Sequence, residues 1–135
     1  MKKLFLTLLL FPCLVLAQHN LSVEISNVKT SNGTINIAIY DGSDGFLKFD
    51  QVFMADSVVA QKGKTQLRIS GLPDGEYALA IFHDENGNQK LDTNWLGIPK
   101  EAIGFSNARM KTFGPPRFKE CAFTLRENQK IEISL

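Results

Sequence analysis

The sequence predicts an all-β chain, a single Greek-key β-sandwich of about seven strands with a long ordered loop. Three observations predict it. Apolar and polar residues alternate with period two along most of the chain, and no long helical pattern appears. Turn signals rich in Gly, Asn and Pro separate the alternating runs. One run, 76–83, is apolar on both faces, as a central strand covered on each side must be.

The chain opens on Met1-Lys2-Lys3, an apolar run over 4–16, and Val15-Leu16-Ala17 before Gln18. That is the pattern of a signal peptide over 1–17, with one β-sandwich domain over 18–135. The apolar run is too short to span about 30 Å of hydrocarbon, and no longer one follows, so no transmembrane segment is expected after cleavage. Cys13 leaves with the leader. Cys121 then has no partner, so the domain lacks the disulfides that small exported domains often use. His19 sits beside the cleavage site and is read as outside the fold.

Leu21, Val23 and Ile25 alternate with Ser22 and Glu24; Ile35, Ile37 and Ile39 alternate with Asn36, Ala38 and Tyr40. With Ser31-Asn32-Gly33 between them, the two runs predict a hairpin. Asp41-Gly42 and Asp44-Gly45 open a packed loop or short helix anchored by Phe46, Leu47, Phe49 and Phe53. Val58-Val59 reads as a short strand, and Lys62-Gly63-Lys64 turns into another carrying Leu67 and Ile69 inward. Gly71-Leu72-Pro73-Asp74-Gly75 is a turn cluster before the central strand, where Ala78 and Ala80 leave room for close packing. Tyr77, just past the turn, resembles a tyrosine corner, whose hydroxyl bonds upstream backbone. The stretch 84–118 carries Trp95, Phe105, Phe113 and Phe118. Structureless loops this long are uncommon in compact domains, so its aromatics predict anchors against the sandwich, Trp95 and Phe105 first. Two strands close the chain, one with Cys121, Phe123 and Leu125 on its apolar face, the other with Ile131, Ile133 and Leu135.

The whole chain has a formal net charge of +1. Without Lys2 and Lys3, 13 basic residues face 14 acidic ones, a net of −1. A near-neutral chain with no basic block carries no electrostatic footprint for nucleic acid.

The most specific chemistry lies in Asp84-Glu85-Asn86-Gly87-Asn88-Gln89-Lys90-Leu91-Asp92. Oxygen-bearing side chains fall at alternate positions: Asp84, Asn86, Asn88, then Asp92. A calcium ion takes six to eight hard oxygen ligands, and this spacing wraps one, with the Lys90 carbonyl as a backbone ligand and Gly87 allowing the bend. It is no helix–loop–helix calcium hand: Gln89 stands where that loop needs Gly, and Trp95 where it needs Glu. Glu101 is the first choice for a further carboxylate, because the chain from Gly97 can fold back; Asp44 and Glu85 are reserves. The competing reading is a plain hairpin at Asn86-Gly87.

Gly75-Glu76-Tyr77-Ala78-Leu79-Ala80-Ile81-Phe82-His83-Asp84-Glu85-Asn86-Gly87-Asn88, Leu91-Asp92, Gly97-Ile98-Pro99-Lys100-Glu101, Gly104-Phe105-Ser106-Asn107 and Gly114-Pro115-Pro116 together resemble the domain of unknown function 2141 family. The resemblance covers essentially all of 18–135 and implies an exported bacterial protein. The piece Leu72-Pro73-Asp74-Gly75-Glu76-Tyr77 is more weakly similar to prealbumin-like domains, some of which bind calcium. That implies a prealbumin/immunoglobulin-like sandwich by analogy.

The function expected is that of an exported, calcium-stabilised binding module, periplasmic or secreted, for a protein or glycan partner at the envelope. Calcium would replace the missing disulfide. The alternatives are a structural part of an envelope assembly, docking by a strand edge, and a small hydrolase using His83. For catalysis the candidates are His83, Asp84, Glu101, Ser106 and Cys121. No set of nucleophile, base and orienting group can be placed from spacing, so the reading leans away from an enzyme.

Overall fold

A computed structural model describes residues 16–135. Met1, Lys2, Lys3 and the rest of the run to Val15, Cys13 included, carry most of the predicted leader and lie outside the described residues. Eight strands form: β1 (Gln18–Val28), β2 (Thr34–Tyr40), β3 (Met54–Val59), β4 (Gly63–Pro73), β5 (Gly75–Asp84), β6 (Ile103–Phe105), β7 (Phe123–Leu125) and β8 (Gln129–Ser134). A single turn of helix, α1 (Phe118–Cys121), precedes β7.

The strands make two sheets. One has the order β4-β1-β8; the other runs β3-β2-β5, with β6 and β7 both on the free edge of β5. β7 takes Gly75 to Tyr77 and β6 takes Ala80 to Phe82, while β2 takes the opposite edge, so β5 is paired along both edges. The sheets face each other over Leu21, Val23 and Ile25 of β1, Ile35, Ile37 and Ile39 of β2, and Leu79 and Ile81 of β5, closed by Ile131 and Ile133. These alternate residues are buried because a strand turns every second side chain inward. Both sheets and this core are built from residues 18–135.

One expectation is sharpened and one changes. The sandwich has eight strands, because Ile103 to Phe105 inside the long loop joins β5. The first two strands are not a hairpin: β1 pairs with β4 and with β8, β2 with β3 and β5. Their apolar faces meet across the core instead. The turn thus crosses the roughly 10 Å between sheets rather than the roughly 4.8 Å between neighbouring strands. Sequence alternation shows which face is apolar but not whether two such faces lie side by side or face to face. Gly33 makes the crossing at φ +66°, where a Cβ would fall 1.9 Å from the Asp84 carbonyl oxygen.

The tyrosine corner forms, with the Tyr77 hydroxyl donating to the Pro73 carbonyl at 2.8 Å. His19 belongs to the fold after all: it lies in β1 and bonds Asp74. β1 and β8 run parallel, an arrangement that only long-range packing decides.

The outer face of the five-stranded sheet carries a second apolar cluster of Tyr40, Ala78, Phe105, Phe118 and Cys121. The loop after β2, with a 3-10 turn at Phe49–Gln51, folds over it. Phe46 meets Tyr40 and Phe118 edge-on at ring separations of 5.2 and 5.7 Å.

Candidate metal loop and apolar groove

The residues read as ligands share one hydrogen-bonded loop. Asp84 ends β5 fully buried, and its carboxylate accepts the backbone N–H groups of Asn88 at 3.2 Å and Gln89 at 2.7 Å. Gly87 at φ +71° and Gln89 at φ +61° bend the chain back over it. The Asn86 amide donates to Asp92 at 2.6 Å, and the Asn88 amide to both Asp92 oxygens at 2.9 and 3.1 Å. Lys90 stays in the ring through its N–H, which donates to Asn88 Oδ1 at 2.9 Å. The fold-back from Gly97 occurs: Glu101 accepts the Asp92 N–H at 3.1 Å, and the Lys100 N–H meets the Asp92 carbonyl at 2.8 Å.

The fit to a cation is partial. Among the described residues no three His, Cys, Asp or Glu side chains stand close enough to hold an ion alone. The remaining oxygens belong to Asn86 and Asn88. Their amides now turn nitrogen toward Asp92, so both would have to rotate to offer oxygen. Of the reserves, Glu85 is drawn away toward Thr30 and His83, and Asp44 lies in the loop after β2.

Beyond Asp92 the chain makes a small hairpin. Thr93 bridges Pro99, and the Gly97 N–H bonds the Asn94 carbonyl, placing Trp95 and Leu96 at the tip. A second tight turn is closed by Lys111 and Gly114, with Thr112 and Phe113 at its tip. Between these turns and the loop after β2 lies a groove of about 540 Å³ on the outer sheet face. Ala38 and Ala80 leave its floor open; Leu47, Phe49, Ile98 and Met110 stand among its walls.

A family model described as an uncharacterized protein conserved in bacteria, DUF2141, matches residues 23–134. The chain belongs to this family. No curated protein and no solved structure matches it. The DUF2141 match begins inside β1 and ends with β8, so it takes in both sheets, the loop at 84–101 and the groove.

Of the catalytic candidates of this DUF2141 chain, Asp84 and Glu101 lie in the loop just described. His83 is buried, and its Nε2–H donates to the Asn32 carbonyl at 2.7 Å; Nδ1 has no hydrogen-bond partner and faces Glu85 at 3.6 Å. Ser106 is buried too. Its hydroxyl donates to the Cys121 carbonyl at 2.6 Å and accepts the Leu79 N–H at 2.9 Å, which makes it a strap between β5 and α1. Burial pushes the Cys121 thiol up to about 11, far from the thiolate that nucleophilic chemistry needs. Cys121 also departs from the predicted face. It ends α1 and packs outside the five-stranded sheet, while Phe123 and Leu125 point into the core, because the helical turn breaks the alternation.

The long loop departs from expectation at two aromatics, Trp95 and the fully exposed Phe113. Phe105 is buried as an anchor, but Trp95 is 90% exposed and anchors nothing. The groove itself escaped the sequence reading. Its sequence signals were Ala80, read as leaving room on the central strand, and large apolar residues at turn positions, Trp95-Leu96 before Gly97 and Phe113 before Gly114.

Proposed function

We propose that this chain is an exported β-sandwich binding module whose working surface is the outer face of the five-stranded sheet, framed by a loop that calcium pins. The groove carries this reading. A cleft of about 540 Å³ is in the range of small-molecule and partner pockets, and its floor and walls are apolar. Natural surfaces seldom leave so many large apolar groups in one place without a use for them.

The metal loop supports the frame. Asp84, Asn86, Asn88, the Lys90 carbonyl, Asp92 and Glu101 are the oxygen donors for calcium, and the loop they form leads directly into the Trp95 hairpin. Bound calcium would neutralise Asp84 and Asp92 and tie Glu101 to them. The predicted leader supports export.

Thermal unfolding of residues 18–135 tests the ion. For a site with Kd of about 10⁻⁴–10⁻³ M, about 10 mM calcium adds roughly 1.4–2.7 kcal/mol of stability over chelator. An Asp84→Ala, Asp92→Ala double variant should lose that difference. Equal unfolding temperatures with calcium and chelator would remove the ion from the reading. Binding of an apolar fluorophore to the folded chain tests the groove. Ala80→Leu, which fills the floor, should weaken it; undiminished binding would refute the groove.

A further inference from the structure

Turn tips face water and are ordinarily built from Gly, Asn, Asp and Ser. Here two neighbouring turns, both lining one groove, carry Trp95 at 90% exposure and Phe113 at 100%. Leu96, Ile98 and Met110 are exposed beside them, and Phe49 stands exposed on the facing wall. Trp95 and Phe113 are almost wholly exposed, so a partner must come up around them.

Charge narrows the partner. Residues 93–120 hold Lys100, Arg109, Lys111, Arg117 and Lys119 against Glu101 and Glu120, a net of +3. The rest of the described chain holds 8 basic and 12 acidic residues, a net of −4. All five basic side chains are exposed. Only Lys111 is paired, to Glu120 at 2.5 Å; the other four have no carboxylate within ion-pair reach among the described residues. A second copy would bring the +3 of this segment against its own like charge. A glycan could stack on Trp95 but has nothing to offer Leu96, Ile98 and Met110.

We propose that this face docks on an anionic lipid bilayer, the Trp95 and Phe113 tips entering the interface while Lys100, Arg109, Arg117 and Lys119 meet the headgroups. The proposal rests on reading the groove face as the binding surface. Trp is suited to such a tip, because one end of its ring is apolar and the other carries an N–H for the wet headgroup layer. Basic side chains near the surface add attraction that salt screens within a Debye length.

Trp95 is the single tryptophan, so its own fluorescence reports the contact. Residues 18–135, which hold both sheets and the core, are mixed with vesicles of equal parts phosphatidylglycerol and phosphatidylcholine, and separately with phosphatidylcholine alone. On the anionic vesicles Trp95 emission should move to the blue and be quenched by brominated acyl chains, and added salt should reverse both. Phe113→Ser should weaken partition about tenfold with no change in unfolding temperature. Arg109→Gln combined with Lys119→Gln should weaken it by at least about tenfold and flatten its salt dependence. Emission that stays unshifted on anionic vesicles would overturn the proposal, as would an equal shift on both lipids. A blue shift without lipid that grows with protein concentration would assign the face to self-association instead. Loss of vesicle binding with fluorophore binding and calcium stabilisation intact would overturn the lipid assignment alone; loss of fluorophore binding as well would take the groove reading with it.

Discussion

Ser106→Ala removes one oxygen from the fold and leaves two buried groups stranded. The hydroxyl of Ser106 satisfies the Leu79 N–H at 2.9 Å and the Cys121 carbonyl at 2.6 Å, and its own backbone N–H meets the Leu79 carbonyl at 3.1 Å. β6 ends at Phe105, so this side chain continues the β5 ladder one residue past the strand. Alanine keeps the backbone bond and loses the other two. A buried polar group left without a partner costs about 1–3 kcal/mol, so the two together cost about 2–4 kcal/mol after some relaxation. At about 4 °C per kcal/mol for a domain of this size, the unfolding temperature should fall by about 8–15 °C. Urea unfolding followed by circular dichroism measures the free-energy loss directly, with an unchanged slope showing that the same surface is exposed. Ser57→Ala on the exposed face of β3 is the control and should stay within about 0.5 kcal/mol. A Ser106→Ala midpoint equal to that control would refute the strap and reopen Ser106 as a reactive hydroxyl.

Gly33→Ala should cost at least about 3 kcal/mol, since it adds a left-handed backbone penalty of about 1–2 kcal/mol to an overlap with the Asp84 carbonyl oxygen. Gly87→Ala, at φ +71° with open space around it, should cost only the conformational share, about 1 kcal/mol; equal losses at the two positions would discount the overlap. The Glu24 carboxylate is held down to about 2 by Lys64 and Lys130 at 2.9 and 3.0 Å, so its ionised form favours the folded state. That contribution is complete above its unfolded value of about 4.5 and disappears as pH falls toward 2. Glu24→Gln should therefore flatten that part of the stability profile, and a profile parallel to wild type between pH 4.5 and 2 would rule the triad out as a source of it.

The Tyr77 corner was legible because its geometry is local: a turn, a tyrosine and a carbonyl four residues upstream. The hydrogen-bonded course of the loop 84–101 was legible for the same reason, as its oxygen-bearing side chains recur at alternate positions and the return to Glu101 needs only one bend at Gly97. His83 and Ser106 were ambiguous in the sequence because a buried structural residue and a catalytic one use the same side chain. Burial and partners separate them, and both are set by residues far along the chain.

By itself, then, the sequence determined the β class, the buried faces of β1, β2, β5 and β8, and the closeness of Asp84, Asn86, Asn88, Asp92 and Glu101. Period-two burial and short loop closures are properties of neighbouring residues. Tertiary structure alone decided that β1 and β2 oppose each other across the core, that β8 runs parallel to β1, and that Cys121 lies outside the sheet. It also decided that the turns carrying Trp95 and Phe113 line one groove and leave both rings exposed. Each of these depends on which surfaces remain available once the rest of the chain is packed, and no window of sequence contains that information.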